Sequence, residues 1–218
     1  MKTQIIIVAG GKGTRMESEI PKQFLLLNGK PILIHTIERF TKFSSKIFLV
    51  LPKNDINLWN QLVKKHQFKI DITVIEGGEE RFFSVQNAIK QCSTEGLILI
   101  HDGVRPLVSE QTIKNVIEKS LEADSGIPVL NIDESIRMLV KRESMPVDRN
   151  KYKLVQTPQG FNAQLIKESY NQEYSFKFTD DASVFESAGY SVSLVNGNKE
   201  NIKITTPEDL RLAKFLLS

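Results

Sequence analysis

Short apolar runs alternating with longer amphipathic stretches predict an α/β fold of the Rossmann-like kind. The expected form is a mostly parallel sheet with helices on both faces and a projecting β-hairpin arm. Three observations carry this. Five runs rich in Ile, Val and Leu recur between turn residues. The stretches between them place apolar side chains at helical spacing. One long polar segment then breaks the alternation.

In chain order, residues 5–8, 47–51, 72–75, 97–100 and 126–130 read as buried strands, each a short apolar run bounded by turn residues. Residues 32–43, 56–66, 81–91 and 110–123 read as helices between them. In the first, Leu33, Ile37 and Phe40 fall at i, i+4 and i+7, on one helical face. Such a succession builds parallel βαβ units with right-handed crossovers. Ligands in these sheets bind beyond the carboxyl ends of the strands. From Asp133 to Lys153 the chain is mostly polar, with Pro146 and Asp148-Arg149-Asn150. Two extended pieces near 136–140 and 152–155 would pair as the arm, at about 133–155. A mobile surface loop is the plainer alternative, and both stay open. Helices at 163–170 and 181–188, a strand at 191–195 and a terminal helix at 207–217 complete the prediction.

The 218 residues suit one domain spanning 1–218. A formal charge of +3 is too small for a nucleic-acid protein, which would show a basic stripe. The lone Cys92 excludes an internal disulfide and a cysteine-rich zinc site. His35, His66 and His101 lack metal-ligand spacing. No apolar run approaches the ~18 residues that span a bilayer. The run at 5–8 is cut short by Gly10, Gly11 and Lys12, so it reads as no signal peptide. A soluble, cytoplasmic protein without membrane or nucleic-acid partners is expected.

Three motifs follow strands. The first is Ala9-Gly10-Gly11-Lys12-Gly13-Thr14-Arg15-Met16, then Pro21-Lys22-Gln23-Phe24. Glycines let successive N–H groups point inward as a nest for anionic oxygens, and Lys12, Arg15 and Lys22 add charge. A turn with exposed basic residues is the plain alternative. The coincidence of glycines and cations at a strand's carboxyl end favours phosphate. Neither the P-loop pattern nor the third glycine of the dinucleotide fingerprint is present, since Met16 stands there. The second motif is Glu76-Gly77-Gly78-Glu79-Glu80-Arg81-Phe82-Phe83-Ser84, a glycine turn leading into a helix. The third is His101-Asp102-Gly103-Val104-Arg105-Pro106. Its aspartate would cap a helix or hold Mg²⁺, which takes one or two carboxylates together with substrate phosphates. Arg105 is expected to pair with carboxylates and hold the loop. His101 is expected to be structural.

The A-G-G-x-G-x-R-M and P-K-Q-F pair resembles the signature of the sugar-phosphate nucleotidyltransferases. It is closest to the cytidylyltransferases acting on 2-C-methyl-D-erythritol 4-phosphate. Further blocks follow in family order: Val147-Asp148-Arg149, Gln156-Thr157-Pro158-Gln159, Phe178-Thr179-Asp180-Asp181-Ala182-Ser183 and Asn201-Ile202-Lys203-Ile204-Thr205. The resemblance spans Ile5 to Leu212. It implies CTP as donor, a polyol phosphate as acceptor, Mg²⁺, and a homodimer whose arm reaches the neighbouring site. It implies Arg15, Lys22 and Lys203 as catalytic residues. Ala9, Gly10, Gly11, Gly13, Gly78, Ser84 and Asp102 would bind nucleotide, with Asp102 also at the metal. Ser135, Arg149, Thr157 and Thr179 would hold the acceptor. Gly103 and Val104 depart mildly from the family's H-D-A-A-R-P. Ribitol 5-phosphate remains an alternative acceptor. A non-catalytic nucleotide-binding module is a further alternative, opposed by the joint presence of Arg15, Lys22, Asp102 and Lys203. Asp180 or Thr179, and Thr206 before Pro207, also read as helix N-caps.

Overall fold

The computed structural model describes every residue except Met1, residues 12–15, Glu17, Glu19, Ser45, Arg142 and Ser218. The elements in order are β1 (Thr3–Val8), β2 (Leu26–Leu27), β3 (Lys30–Pro31), α1 (Ile32–Glu38), β4 (Lys46–Leu51), α2 (Ile56–Lys65), β5 (Ile72–Glu76), α3 (Arg81–Gln91), β6 (Leu97–Asp102) and α4 (Glu110–Ala123). There follow β7 (Ser125–Asn131), β8 (Arg137–Val140), β9 (Glu143–Pro146), β10 (Lys153–Val155), β11 (Gln159–Asn162), α5 (Ala163–Ser169), α6 (Asp181–Ser187), β12 (Leu194–Asn196) and α7 (Pro207–Leu216).

β5, β4, β1 and β6 lie side by side and parallel. β11 is antiparallel to both β6 and β7, β10 is antiparallel to β7, and β12 is parallel to β7. The continuous apolar runs are explained by burial on both faces. Ile6, Val8, Phe48, Val50, Ile98 and Ile100 point into a core shared with Val85 and Ile89 of α3, Ile166 of α5 and Phe185 of α6. Their neighbours Ile5, Ile7, Ile47, Leu49, Leu97 and Leu99 point the other way, against Leu33 and Ile37 of α1, Trp59 of α2 and Val116 of α4. Fully burying one such side chain contributes about 1.5–3 kcal/mol.

The main strand and helix order agrees with the sequence pattern, but β2, β3 and β11 were not expected, and two expected features differ. Past Glu38, α1 tightens into turns in which Arg39 and Phe40 donate to Thr36 and Ile37, so the predicted helix stops five residues early. Its apolar face is as expected, since Leu33, Ile37 and Phe40 are all fully buried. The arm also pairs differently. β8 joins β9 in a separate two-stranded ribbon, turned through Lys141 at φ +54°. The expected partner, β10, instead sets Lys153, Leu154 and Val155 opposite Asn131, Leu130 and Val129 of β7. The pairing of 136–140 with 152–155 is thus corrected. β7 offers the longer apolar partner, and the polar segment closes on itself.

Both expected caps on late helices form. Asp180 accepts from Ser183 N–H and starts α6, and Thr206 accepts from Asp209 N–H and starts α7 behind Pro207 at its first helical position. Among the described residues, no helix is long and apolar enough to cross a membrane.

Candidate active site

Four parallel strands end together at one edge, and a cavity of about 610 Å³ opens there. Its walls come from the residues just past each strand: Ala9, Gly10 and Gly11 after β1, Gly77 and Gly78 after β5, and Asp102 at the end of β6. Lys22, Ser84 and Lys203 complete the set. The structure therefore gathers eight predicted residues around one space, from six separate stretches of sequence: Ala9, Gly10, Gly11, Lys22, Gly78, Ser84, Asp102 and Lys203. Gly13 and Arg15 lie outside the described residues.

The order of the Pro-Lys-Gln-Phe motif has a mechanical reason. Residues Lys22–Phe24 form one 3₁₀ turn. Phe24 is buried and stacks on Trp59 at 6.4 Å. Gln23, only 1% exposed, donates from Nε2 to Asp55 Oδ2 at 2.8 Å. Two of three side chains thus pin the turn to the β4–α2 connection and to α2. The third, Lys22, faces the cavity, and a Cβ on Gly11 would sit 4.0 Å from its Cε.

The glycine turn after β5 is fixed by α3. Gly78 N–H donates to Ser84 Oγ at 3.1 Å. A Cβ on Gly78 would meet Phe83 Cβ at 2.4 Å, so only glycine fits against the helix there. Gly103 is similarly close to β1, since a Cβ would lie 2.7 Å from Ala9 Cβ. Its N–H donates to Val8 O, and its own carbonyl accepts from Thr36 Oγ1. Val104 is buried and its carbonyl accepts from Ile204 N–H at 2.9 Å. Ile202 and Ile204 pack inward with Val104, and Lys203 between them is turned towards Asp102.

Asp102 is the electrostatic centre. Its Oδ2 lies 3.1 Å from Lys203 Nζ and 3.1 Å from Arg105 Nε. Burial favours the neutral acid, but Lys203, then Arg81 and Arg105, hold the carboxyl well below the usual carboxylate range. Arg105 also donates to Asn201 O at 2.8 Å, which is the loop-holding role expected of it. Next to Asp102, strand alternation turns His101 inward. Nε2–H donates to Arg105 O at 3.1 Å, and Nδ1 accepts from Thr157 Oγ1 at 2.9 Å. Burial depresses this imidazole to about 4, so it is neutral and structural. The Thr157 hydroxyl in turn accepts from Asp102 N–H at 3.1 Å.

The four acceptor candidates are placed differently. Thr157 is 6% exposed and sits in the wall behind Asp102. Thr179 is exposed, immediately before the capping Asp180 of α6. Ser135 and Arg149 are exposed on the segment carrying the arm, where Arg149 donates to the Asp133 carbonyl. None of the four lines the cavity.

Sequence reasoning gave no role to several side chains that organise this site. Arg81 lines the cavity and forks onto buried Asp181, with Nη1–Oδ1 at 2.8 Å and Nη2–Oδ2 at 2.5 Å. Gln159, fully buried, donates to Asp180 Oδ2 at 2.7 Å and accepts from Ala182 N–H at 2.9 Å. Asn201 donates to Thr157 O at 2.8 Å. The only signal was their position inside the motifs, because partners 100 residues apart leave no spacing to read.

The whole chain resembles known proteins. Residues 3–218 match the family model for IspD, 2-C-methyl-D-erythritol 4-phosphate cytidylyltransferase. Proteins described by that enzyme name from Phocaeicola vulgatus and Bacteroides thetaiotaomicron are 50% and 48% identical, each over 100% of both chains. The crystal structure of the Francisella tularensis enzyme superposes with a TM-score of 0.83 at 31% identity, covering 99% of each chain. That of the Thermus thermophilus enzyme gives 0.80 at 30%, covering 99% of this chain and 98% of its own. A full-length family match, half-identical relatives and the same architecture agree: the chain belongs to the 2-C-methyl-D-erythritol 4-phosphate cytidylyltransferase family.

Proposed function

We propose that the chain transfers CMP from CTP to 2-C-methyl-D-erythritol 4-phosphate, releasing pyrophosphate and giving CDP-methylerythritol for non-mevalonate isoprenoid synthesis. The observation that carries this is the meeting of two glycine turns, Lys22, Lys203 and Asp102 around one cavity at the strands' carboxyl edge. An oxygen of the acceptor's phosphate attacks the α-phosphorus of CTP. The new P–O bond forms as the bond to the bridging oxygen breaks, and pyrophosphate leaves with that electron pair. The nucleophile is already an anion, so no side chain need take a proton. The protein brings two like-charged groups together and stabilises charge on the α-phosphoryl oxygens. Lys22 and Lys203 suit this by position, and Arg15 by the family pattern. Gly78 and Ser84 suit the cytosine edge.

The residues present fit a divalent cation carried by the nucleotide. Among the described residues no cluster of three or more His, Cys, Asp or Glu could cage a metal alone. Asp102 instead offers one charged carboxylate whose Oδ1 has no hydrogen bond among the described residues, which matches the mode in which Mg²⁺ takes most of its ligands from phosphates and water. Bound there, Mg²⁺ supplies neutralising charge for the leaving pyrophosphate. Asp102→Asn keeps the shape and removes the charge, and should shift the Mg²⁺ dependence of turnover upwards. An unchanged Mg²⁺ titration would leave Asp102 as a holder of Lys203 and Arg105 only.

The acceptor side is read as shared between two copies of the chain. Met138, Leu139, Val140 and Met145 on the β8–β9 ribbon, and Leu154 and Val155 on β10, are 44–79% exposed. An isolated two-stranded ribbon is marginal in water, and such an apolar patch marks an association surface. A partner held there would place Arg149 at the neighbouring cavity. The test is pyrophosphate release with CTP and either methylerythritol phosphate or ribitol 5-phosphate. Turnover with the first alone is expected. Turnover with neither would leave a nucleotide-binding module.

A further inference from the structure

We propose that Arg81 is a positioning residue that couples occupation of the nucleotide cavity to the grip on the acceptor's phosphate, acting through Asp181 and the start of α6. This rests on the reading that Thr179 holds that phosphate.

Arg81 is the first residue of α3 and lines the cavity. A cation in that place would ordinarily be a phosphate ligand. Both of its terminal nitrogens are instead committed to Asp181, which is fully buried at the start of α6. Burial opposes its charge, but the Asp181 carboxylate more than compensates, and the guanidinium stays charged. Asp181 Oδ1 accepts a second bond, from Tyr170 O–H at 2.6 Å. Replacing a buried ion pair of this kind with apolar side chains often costs no stability. Its value here is geometric, since a forked guanidinium–carboxylate pair fixes distance and orientation together.

The same helical turn makes further contacts with the same segment. Phe82 stacks on Tyr170 at 4.9 Å and on Phe178 at 5.5 Å, and Phe83 lies 5.4 Å from Tyr174. Residues 81–83 therefore hold positions 170, 174, 178 and 181, which bracket Thr179. On its other side this turn abuts the nucleotide turn, through Phe83 beneath Gly78 and the Ser84–Gly78 hydrogen bond. A movement of the Gly78 turn on nucleotide binding is thus passed through one rigid helical turn to the segment that presents Thr179.

The test compares Arg81→Lys, Asp181→Asn, the combined variant and Tyr170→Phe. CTP affinity is measured calorimetrically without acceptor, and acceptor KM and kcat in the steady state. Wild-type turnover and the acceptor KM of Thr179→Ala are recorded first, so a failure of the parent reading shows, as an unchanged KM, before the Arg81 and Asp181 variants are compared. Arg81→Lys keeps the charge and loses the fork. It should raise acceptor KM roughly tenfold, and leave the affinity for CTP alone within about threefold. Asp181→Asn should give the same pattern, and the combined variant should be no worse than the more affected single one. Tyr170→Phe, which keeps the stacked ring, should act in the same direction more weakly, and it decides the matter if Asp181→Asn does not fold. CTP affinity falling with Arg81→Lys while Asp181→Asn and Tyr170→Phe are silent would make Arg81 a nucleotide ligand and overturn the proposal. Unchanged acceptor KM in folded variants, or equal losses for both substrates, would overturn it as well.

Discussion

The cavity and the arm solve opposite problems with the same chain. Behind the cavity, buried polar groups find their partners inside the chain. His101, Thr157, Asp102, Arg105 and Asn201 form one connected network of hydrogen bonds. On the arm the reverse holds. Apolar side chains of the β8–β9 ribbon face outward, with Leu139 79% exposed. The comparison teaches that the groups behind Asp102 are satisfied within one chain, whereas the arm that carries Ser135 and Arg149 leaves its apolar side chains uncovered.

The sharpest way to break this comparison is Lys22→Ala. If the cavity is preorganised, losing one cation aimed at the α-phosphoryl group should lower kcat by about 10²–10³, with little change in CTP affinity. A folded variant with near-normal turnover would remove Lys22 from the chemistry.

The network behind Asp102 has its own signature. Burial lowers the His101 imidazole to about 4, from an ordinary value of 6.5. The unfolded chain therefore binds the extra proton first. Stability from this group is complete above about pH 6.5 and declines as pH falls towards 4, by roughly 3 kcal/mol in all. Asp102 loses its contribution only lower still, and His35, which burial also lowers, shares the loss below 6.5, so a His101 variant is needed to isolate its part. His101→Gln keeps a donor and an acceptor but does not titrate. Its melting temperature should change less across that window than the wild type's, and parallel curves would place the acid sensitivity elsewhere.

Gly78→Ala probes the packing of the nucleotide turn. A Cβ 2.4 Å from Phe83 Cβ must push the turn from α3, costing about 1–3 kcal/mol by overpacking. Chemical denaturation would measure that, and CTP affinity should fall with it. Full affinity would mean that the turn adapts and Gly78 is not selected by fit.

The smallest effect concerns the arm. Arg149→Lys should raise acceptor KM about tenfold, the size of one lost charge-assisted hydrogen bond, and leave the KM for CTP unchanged. The geometry is sharpened by co-expressing Arg149→Ala chains with Lys22→Ala chains. Verified mixed dimers should regain one intact site. Inactive mixed dimers would confine Arg149 to its own subunit.

Much of the cavity was legible because its residues follow strands, and strands announce themselves by unbroken apolar runs buried on both faces. Gly78 and Asp102 stood out by their place after such a run, and the family resemblance supplied the roles expected of them. Helix bounds at 81–91 and 110–123 were equally plain, since an amphipathic stretch ends where its apolar period ends. The arm was harder. Leu154 and Val155 carry the same local signal whether they pair with β8 or β7, and long-range pairing decides between them. β11 also escaped, because Gln159 and Gly160 have weak strand character and lie in the sheet only because β6 and β7 leave room between them. Gln159 is buried yet polar because it serves the start of α6. Arg81 and Asp181 are the clearest limit, for each reads as an ordinary helix-start residue until the fold brings them together.

The contact between Lys203 and Asp102 has a consequence for which anions the cavity admits. At rest, this lysine already has its counter-ion, 3.1 Å away. A stray phosphate must displace a built-in carboxylate, as in ion exchange, and recovers little for doing so. On the reading proposed above, a nucleotide arriving with its own divalent cation would exchange both partners at once, with Asp102 left to hold the cation and Lys203 the phosphates. Such a cavity would discriminate against free anions without any steric gate.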